Sequence, residues 1–68
     1  MREITVNTRF VYDRGRPEVW TITQVTPESV RLEHARREPS GRIAAYRSSM
    51  TRAAFDRMVA EGRARLLP

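Results

Sequence analysis

The run of residues 18–25 constrains the fold more than any other part of this sequence. It is rich in β-branched and aromatic side chains, a composition that suits a pleated sheet better than a helix. Alternation along the run places Trp20, Ile22 and Gln24 on one face and Val19, Thr21, Thr23 and Val25 on the other. Both faces are partly apolar, so we expect a central strand of a sheet.

Three further segments show the period of a half-buried strand, namely residues 4–12, 30–34 and 43–46. Between the segments stand turn-forming residues, among them the Gly15 and Pro17 of the first turn and the Pro39 and Gly41 of the last. Short connections of this kind join neighbouring antiparallel strands. The sequence therefore predicts antiparallel strands over residues 1–48.

The apolar period changes to that of a helix after residue 48. Thr51 is a suitable N-cap, and Met50 and Phe55 occupy the positions of a hydrophobic staple. One stripe of the helix is formed by Phe55, Met58, Val59 and Gly62. Gly62 is also a suitable stop, so we predict a helix over residues 50–62.

The length of 68 residues allows one hydrophobic core, and we therefore treat the chain as a single domain. The predicted fold is mainly β (α+β), a four- to five-stranded curled antiparallel sheet or small barrel followed by one C-terminal helix. Residues 63–68 form a tail, for which a fraying end, a last helical turn and a short edge strand all remain open. The chain has no cysteine and a single histidine, so we expect no disulfide, no metal and no cofactor.

The first 47 positions resemble small Src-homology-3-like barrels, including those of transcription, ribosomal and transposase-associated proteins. Thr8-Arg9-Phe10 leads through a glycine turn into Val19-Trp20-Thr21-Ile22 and then Val30-Arg31-Leu32, which is similar to the first three strands of such modules. The chain departs from that pattern at Asn7-Thr8, where many such barrels place a glycine, and in ending on a full helix. The resemblance implies a fold and no residue-by-residue function.

Thirteen basic residues stand against eight acidic ones, which gives a formal charge of +5. This charge can attract nucleic acid or an acidic protein. All thirteen are arginine, which also fits a coding bias that leaves a merely solvated surface. The sequence shows no run of signal-peptide or membrane-span length, so we expect a cytoplasmic protein without a membrane partner.

The leading hypothesis is a small nucleic-acid-binding module, an accessory factor of bacterial or phage type. Turn arginines in a curled sheet can converge on one basic rim that contacts phosphates. The predicted phosphate-binding residues are Arg14, Arg16, Arg36, Arg37, Arg42 and Arg47. Tyr12 and Tyr46 are the candidates for stacking on bases.

The alternative is a protein-interaction module, an inhibitor or adaptor that docks on an acidic surface. Leu66 and Leu67, after the predicted helix stop, are its candidate partner-binding residues. Self-association through the sheet edge or this tail also stays open. We assign Trp20 to the core.

We expect no enzyme. His34 would need a nearby nucleophile or carboxylate to act as a base, and its neighbour Glu33 points to the opposite face of the strand. The sequence also contains no phosphate-binding glycine loop, zinc spacing or nucleophile elbow. His34 is therefore assigned a structural role, and no catalytic residue is predicted.

Overall fold

The computed structural model describes residues 4–13 and 15–68, which form one antiparallel sheet and one helix. The elements are β1 (Arg9–Asp13), β2 (Pro17–Val25), β3 (Ser29–Arg37), β4 (Ile43–Thr51), α1 (Arg52–Ala60) and β5 (Ala64–Leu66). The strand order is β4-β3-β2-β1-β5, so β4 and β5 form opposite edges of an open sheet. The predicted mainly β class is confirmed, and the sheet is not closed into a barrel.

Helix α1 packs on one face of the sheet, which we call the covered face; the opposite one is the open face. The rings of Phe10 in β1 and Phe55 in α1 meet edge to face, with centroids 5.2 Å apart. The core between helix and sheet is formed by Ile4, Phe10, Trp20, Ile22, Val30, Leu32, Phe55, Met58 and Ala64. Trp20 thus lies in the core, as predicted.

A β-bulge in β2 changes which face its last residues occupy. Ile22 pairs with Leu32, but the next paired residue is Gln24, opposite Arg31, so Thr23 is an extra residue in β2. An extra residue reverses the alternation beyond it. Val25 therefore packs against the core, and our assignment of Val25 to the face opposite Trp20 is wrong.

The first strand is shorter than its sequence pattern predicts. Residues 4–8 are not in a strand, and a turn at residues 6–7 precedes β1. Asn7 has a φ of 75°, a left-handed conformation that asparagine tolerates better than most residues. The Thr5 N–H donates to the Thr8 hydroxyl across this turn at 3.1 Å. The turn lets Ile4 reach the core without continuing the strand.

Helix α1 is also shorter than predicted, because Met50 and Thr51 belong to β4. Thr51 is the N-cap, as predicted, and its hydroxyl accepts the Ala54 N–H at 3.1 Å. Beyond the helix, Gly62 adopts a φ of 79°, and the Arg63 N–H donates to the Met58 carbonyl at 2.9 Å. The Gly62 N–H donates to the Val59 carbonyl at 3.1 Å, and these two C-terminal bonds form a Schellman motif, which ends the helix at a glycine.

The tail after Gly62 forms the short edge strand that the sequence left as one of three alternatives. Strand β5 pairs antiparallel with β1, with Leu66 opposite Phe10 and Ala64 opposite Tyr12.

Within the described part of the chain, no helix combines the length and apolar character needed to cross a membrane.

We expect Phe55→Ala to remove most of the folding free energy. Replacing a buried phenylalanine by alanine costs about 3 to 5 kcal/mol, and a chain of this length has only about 3 to 10 kcal/mol of stability. Urea denaturation followed by circular dichroism measures the loss. Phe55→Leu keeps an apolar side chain at this position and should lose less; equal transition midpoints for the two variants would contradict this account of the core.

Candidate functional site

The arginines of the sheet are unequally divided between its two faces. Strand alternation and register place five of the six strand arginines on the open face, which α1 does not cover: Arg9, Arg31, Arg37, Arg47 and Arg65. Only Arg36 projects from the covered face. The acidic strand residues of the open face are Asp13 and Glu33. The open face therefore carries a net positive charge, which we call the arginine face.

The register aligns the arginine face into rows across the strands. Arg9 pairs with Thr21, Thr21 with Glu33, and Glu33 with Arg47. The Arg47 Nε lies 3.8 Å from the Glu33 carboxylate, and the Arg47 side chain is 83% exposed. An ion pair this exposed contributes little stability, so Arg47 can exchange Glu33 for another anion at small cost.

A shallow groove crosses the arginine face beside the bulge. Its polar lining includes Thr23, Gln24, Arg31, Glu33, Arg47 and Ser49. Apart from the Glu33 carboxylate, which lies 3.8 Å from Arg47 Nε, these side chains offer hydrogen-bond donors, and an arginine stands on each of two neighbouring strands. The groove therefore suits an anion with several oxygen atoms.

Small side chains fill the middle of the arginine face. They are Val11, Val19, Ala35 and Ala45, and Val19 is 47% exposed. No aromatic side chain lies on this face within the strands as described. The surface is thus basic, with small side chains at its centre, and its strands offer no aromatic platform for stacking.

The predicted basic rim is formed only in part. The β1–β2 and β3–β4 turns lie at the same end of the sheet, which brings Arg16 and Arg42 to that end. Arg36 and Arg37 at the end of β3 also reach it, but as consecutive residues they project from opposite faces. Arg47 lies in the middle of β4, and Arg14 falls outside the described residues.

A row of stacked rings crosses the covered face on three neighbouring strands. The rings of Trp20 and His34 have centroids 5.2 Å apart, and those of His34 and Tyr46 lie 6.3 Å apart, with interplanar angles of 28° and 27°. Trp20 is buried, whereas Tyr46 on the edge strand is 46% exposed. The row therefore runs from the core to the edge of the sheet.

His34 is held by a hydrogen bond from one of its ring nitrogens. Its Nδ1 lies 2.8 Å from the Val19 carbonyl, which can only accept, so Nδ1 carries a proton. Its Nε2 lies 3.6 Å from the Glu18 carboxylate. Sequence reasoning considered only Glu33 as a neighbour and missed Glu18, because Glu18 lies on another strand. The hydrogen bond to Val19 and the neighbouring rings of Trp20 and Tyr46 orient the imidazole.

Of the remaining candidate residues, Tyr12, Tyr46 and Leu66 lie on the covered side. Tyr12 and Leu66 are half-buried and pack against the core, and Leu67 is half-buried after β5. Tyr12 and Tyr46 therefore do not share a face with the arginines of the open face. Leu66 uses its side chain within the fold, which leaves little of it for a partner.

Three arginines of this face were absent from the predicted set: Arg9, Arg31 and Arg65. The alternation of β1 and β3 carries the signal for two of them, because Arg9 and Arg31 each neighbour a core residue and so must face away from it. No such signal identifies Arg65, because the sequence left three alternative conformations for residues 63–68.

The described residues contain no group of three or more histidine, cysteine, aspartate or glutamate side chains that could hold a metal ion. Comparison of the chain with known protein families, with curated proteins and with solved structures gives no match.

We expect His34→Ala to destabilise the fold and to expose the indole of Trp20. The substitution removes the hydrogen bond to Val19, worth about 0.5 to 1.5 kcal/mol, and the ring stacking, worth a similar amount. Trp20 is the only tryptophan, so its fluorescence emission should shift to the red. His34→Phe keeps a ring at this position and should leave the emission in place; an identical red shift in both variants would contradict the stacking role.

Proposed function

We propose that the protein binds nucleic acid through the arginine face, without catalysis. The observation that carries this proposal is the placement of five of the six strand arginines on the face that α1 leaves uncovered. Arginine binds phosphate oxygens through its planar fork of donors. A face with several such groups and few carboxylates favours a polyanion over a single small anion.

The shape of the face favours the backbone of a duplex as its ligand. A nine-residue strand such as β3 or β4 spans about 30 Å, the length of about nine base pairs of B-DNA. The predicted stacking residues Tyr12 and Tyr46 lie on the other face, so base stacking does not support binding here. We infer sequence-independent phosphate contacts, extended at one end by Arg16 and Arg42.

The wider interpretation is that of an accessory factor of bacterial or phage type in the cytoplasm. The likeness to Src-homology-3-like modules stays a prediction, supported by the meander of β1, β2 and β3. The rival proposal is docking on an acidic protein, since the same charge would serve it. The two differ in which ligand competes and in how steeply affinity falls with salt.

The test is fluorescence anisotropy of labelled duplex and single-stranded DNA and RNA at about 50 to 200 mM salt. Five phosphate contacts predict a slope of log K against log salt of about −4.5, which is about a 500-fold loss of affinity across this range. Arg31→Gln should reduce the slope by about 0.9. Duplex should bind more tightly than single strands, because the face offers no stacking platform.

Arg57→Gln is the matched control, because it removes the same charge from exposed surface of α1, away from the arginine face. We expect its slope to equal that of the parent protein. Equal effects of Arg31→Gln and Arg57→Gln would show attraction by net charge alone. Absence of binding at the lower salt would overturn the proposal and leave the acidic protein as the ligand to seek.

A further inference from the structure

Strand β4 presents a long edge that the fold leaves bare. Within the described residues it pairs only with β3, and the register runs without interruption from Ser29 opposite Thr51 to Arg37 opposite Ile43. The other edge strand, β5, has only three residues. Exposed edges are usually shortened, bulged or interrupted by proline or lysine, because they can pair with another strand. Strand β4 has nine residues, no proline, no lysine and no bulge in its pairing with β3, and its one charged residue is Arg47.

Two hydrogen bonds establish which backbone groups of β4 are free. The Glu38 N–H donates to the Arg42 carbonyl at 2.8 Å, and the Arg52 N–H donates to the Glu28 carbonyl at 2.9 Å. Hydrogen-bonded pairs alternate along an antiparallel ladder, so the even-numbered residues of β4 bond to β3. The outward N–H and C=O groups belong to Ile43, Ala45, Arg47 and Ser49.

The side chains along this edge are mostly uncharged and partly apolar. Ile43 is 63% exposed and Tyr46 is 46% exposed. Arg47 is the only charged residue of β4, and Glu33 lies beside it within the same molecule. The edge therefore suits another strand with little charge, and β4 itself is such a strand.

We propose that β4 pairs antiparallel with β4 of a second copy of this chain, about a two-fold axis that passes through the Tyr46 pair perpendicular to the sheet. Residues directly opposite each other in an antiparallel pair have their side chains on the same face of the sheet. An axis midway between two residues would place residues of different faces opposite each other, so the axis must pass through a residue. An axis at Arg47 would place two guanidinium groups opposite each other, which is unfavourable. The axis at Tyr46 instead places Arg47 opposite Ala45 of the second copy.

In this register the outward N–H and C=O groups of β4 from Ile43 to Ser49 all form hydrogen bonds with the second copy. Ala45 and Arg47 are both outward-facing, so their pair exchanges both backbone hydrogen bonds, and the Ile43–Ser49 pair does the same. The two Tyr46 residues form a non-hydrogen-bonded pair, whose side chains lie closest. The row Trp20–His34–Tyr46 then continues into the row of the second copy, and aromatic cross-strand pairs stabilise a sheet.

The charge of +5 on each copy opposes this association. Salt screens that repulsion, so the dimer should tighten as salt rises. Binding to nucleic acid or to an acidic protein should weaken over the same range. The salt dependence therefore separates this inference from the proposed function, and either one can fail without the other.

Sedimentation of the pure protein at about 5 µM to 1 mM, at low and at high salt, tests the inference. We expect a monomer–dimer equilibrium that shifts to dimer with concentration and with salt. Ala45→Pro removes an outward N–H without touching the ladder to β3, and it should weaken the dimer by about tenfold or more. Ala45→Val keeps the N–H, favours strand and should dimerise at least as well as the parent.

Amide hydrogen exchange on the unmodified protein gives a second readout that does not depend on how the proline variant folds. The Ala45 and Arg47 amides should be protected at high concentration and exchange quickly on dilution. The Ala44 and Tyr46 amides, which bond to β3, should be protected in both samples. A monomer throughout, a dimer with unprotected Ala45 and Arg47, or protection of these amides only by an added acidic peptide would overturn the proposal.

Discussion

The edge-to-face contact between Phe10 and Phe55 is the interaction on which the rest of the structure depends. It joins the helix to an inner strand and concentrates the core on one side of the sheet. Among the described elements, one helix and five strands, none covers the second side. That side is left to solvent, and its outward positions hold arginines around a centre of small side chains. The one-sided core and the basic open face are two results of the same packing.

The number and type of elements follow from the sequence because the apolar period changes once, from that of a strand to that of a helix. The errors occur where a single residue interrupts the period. Thr23 adds a residue to β2 and moves Val25 into the core. Asn7 turns the chain where Ile4 and Phe10 alone suggest continuous alternation. The register of a bulge and a left-handed turn depend on tertiary contacts, which a single-chain pattern does not contain.

The site was less predictable than the fold. The sequence identified the turns as basic, but it grouped Arg36 with Arg37 although consecutive strand residues project from opposite faces. The relevant division is between the two faces of the sheet rather than between turns and strands. It becomes visible only when the core face of each strand is known. The contact of His34 with Glu18 was missed for the same reason, since it joins two strands whose register had to be known first.

The pairing of β5 with β1 joins two segments that are far apart in the sequence, unlike every other strand pair of the sheet. The hairpins β1–β2, β2–β3 and β3–β4 each join neighbouring segments, whereas Phe10 and Leu66 meet from opposite ends of the sequence. Closing so long a loop costs more entropy than closing a hairpin, so the β1–β5 ladder forms after the local ones. Until the β1–β5 ladder forms, β1 pairs only with β2, and its other edge has no partner strand. Without that ladder the sheet would have β1 and β4 as its edges; in the native structure β5 covers the edge of β1, and β4 remains the longer of the two edge strands.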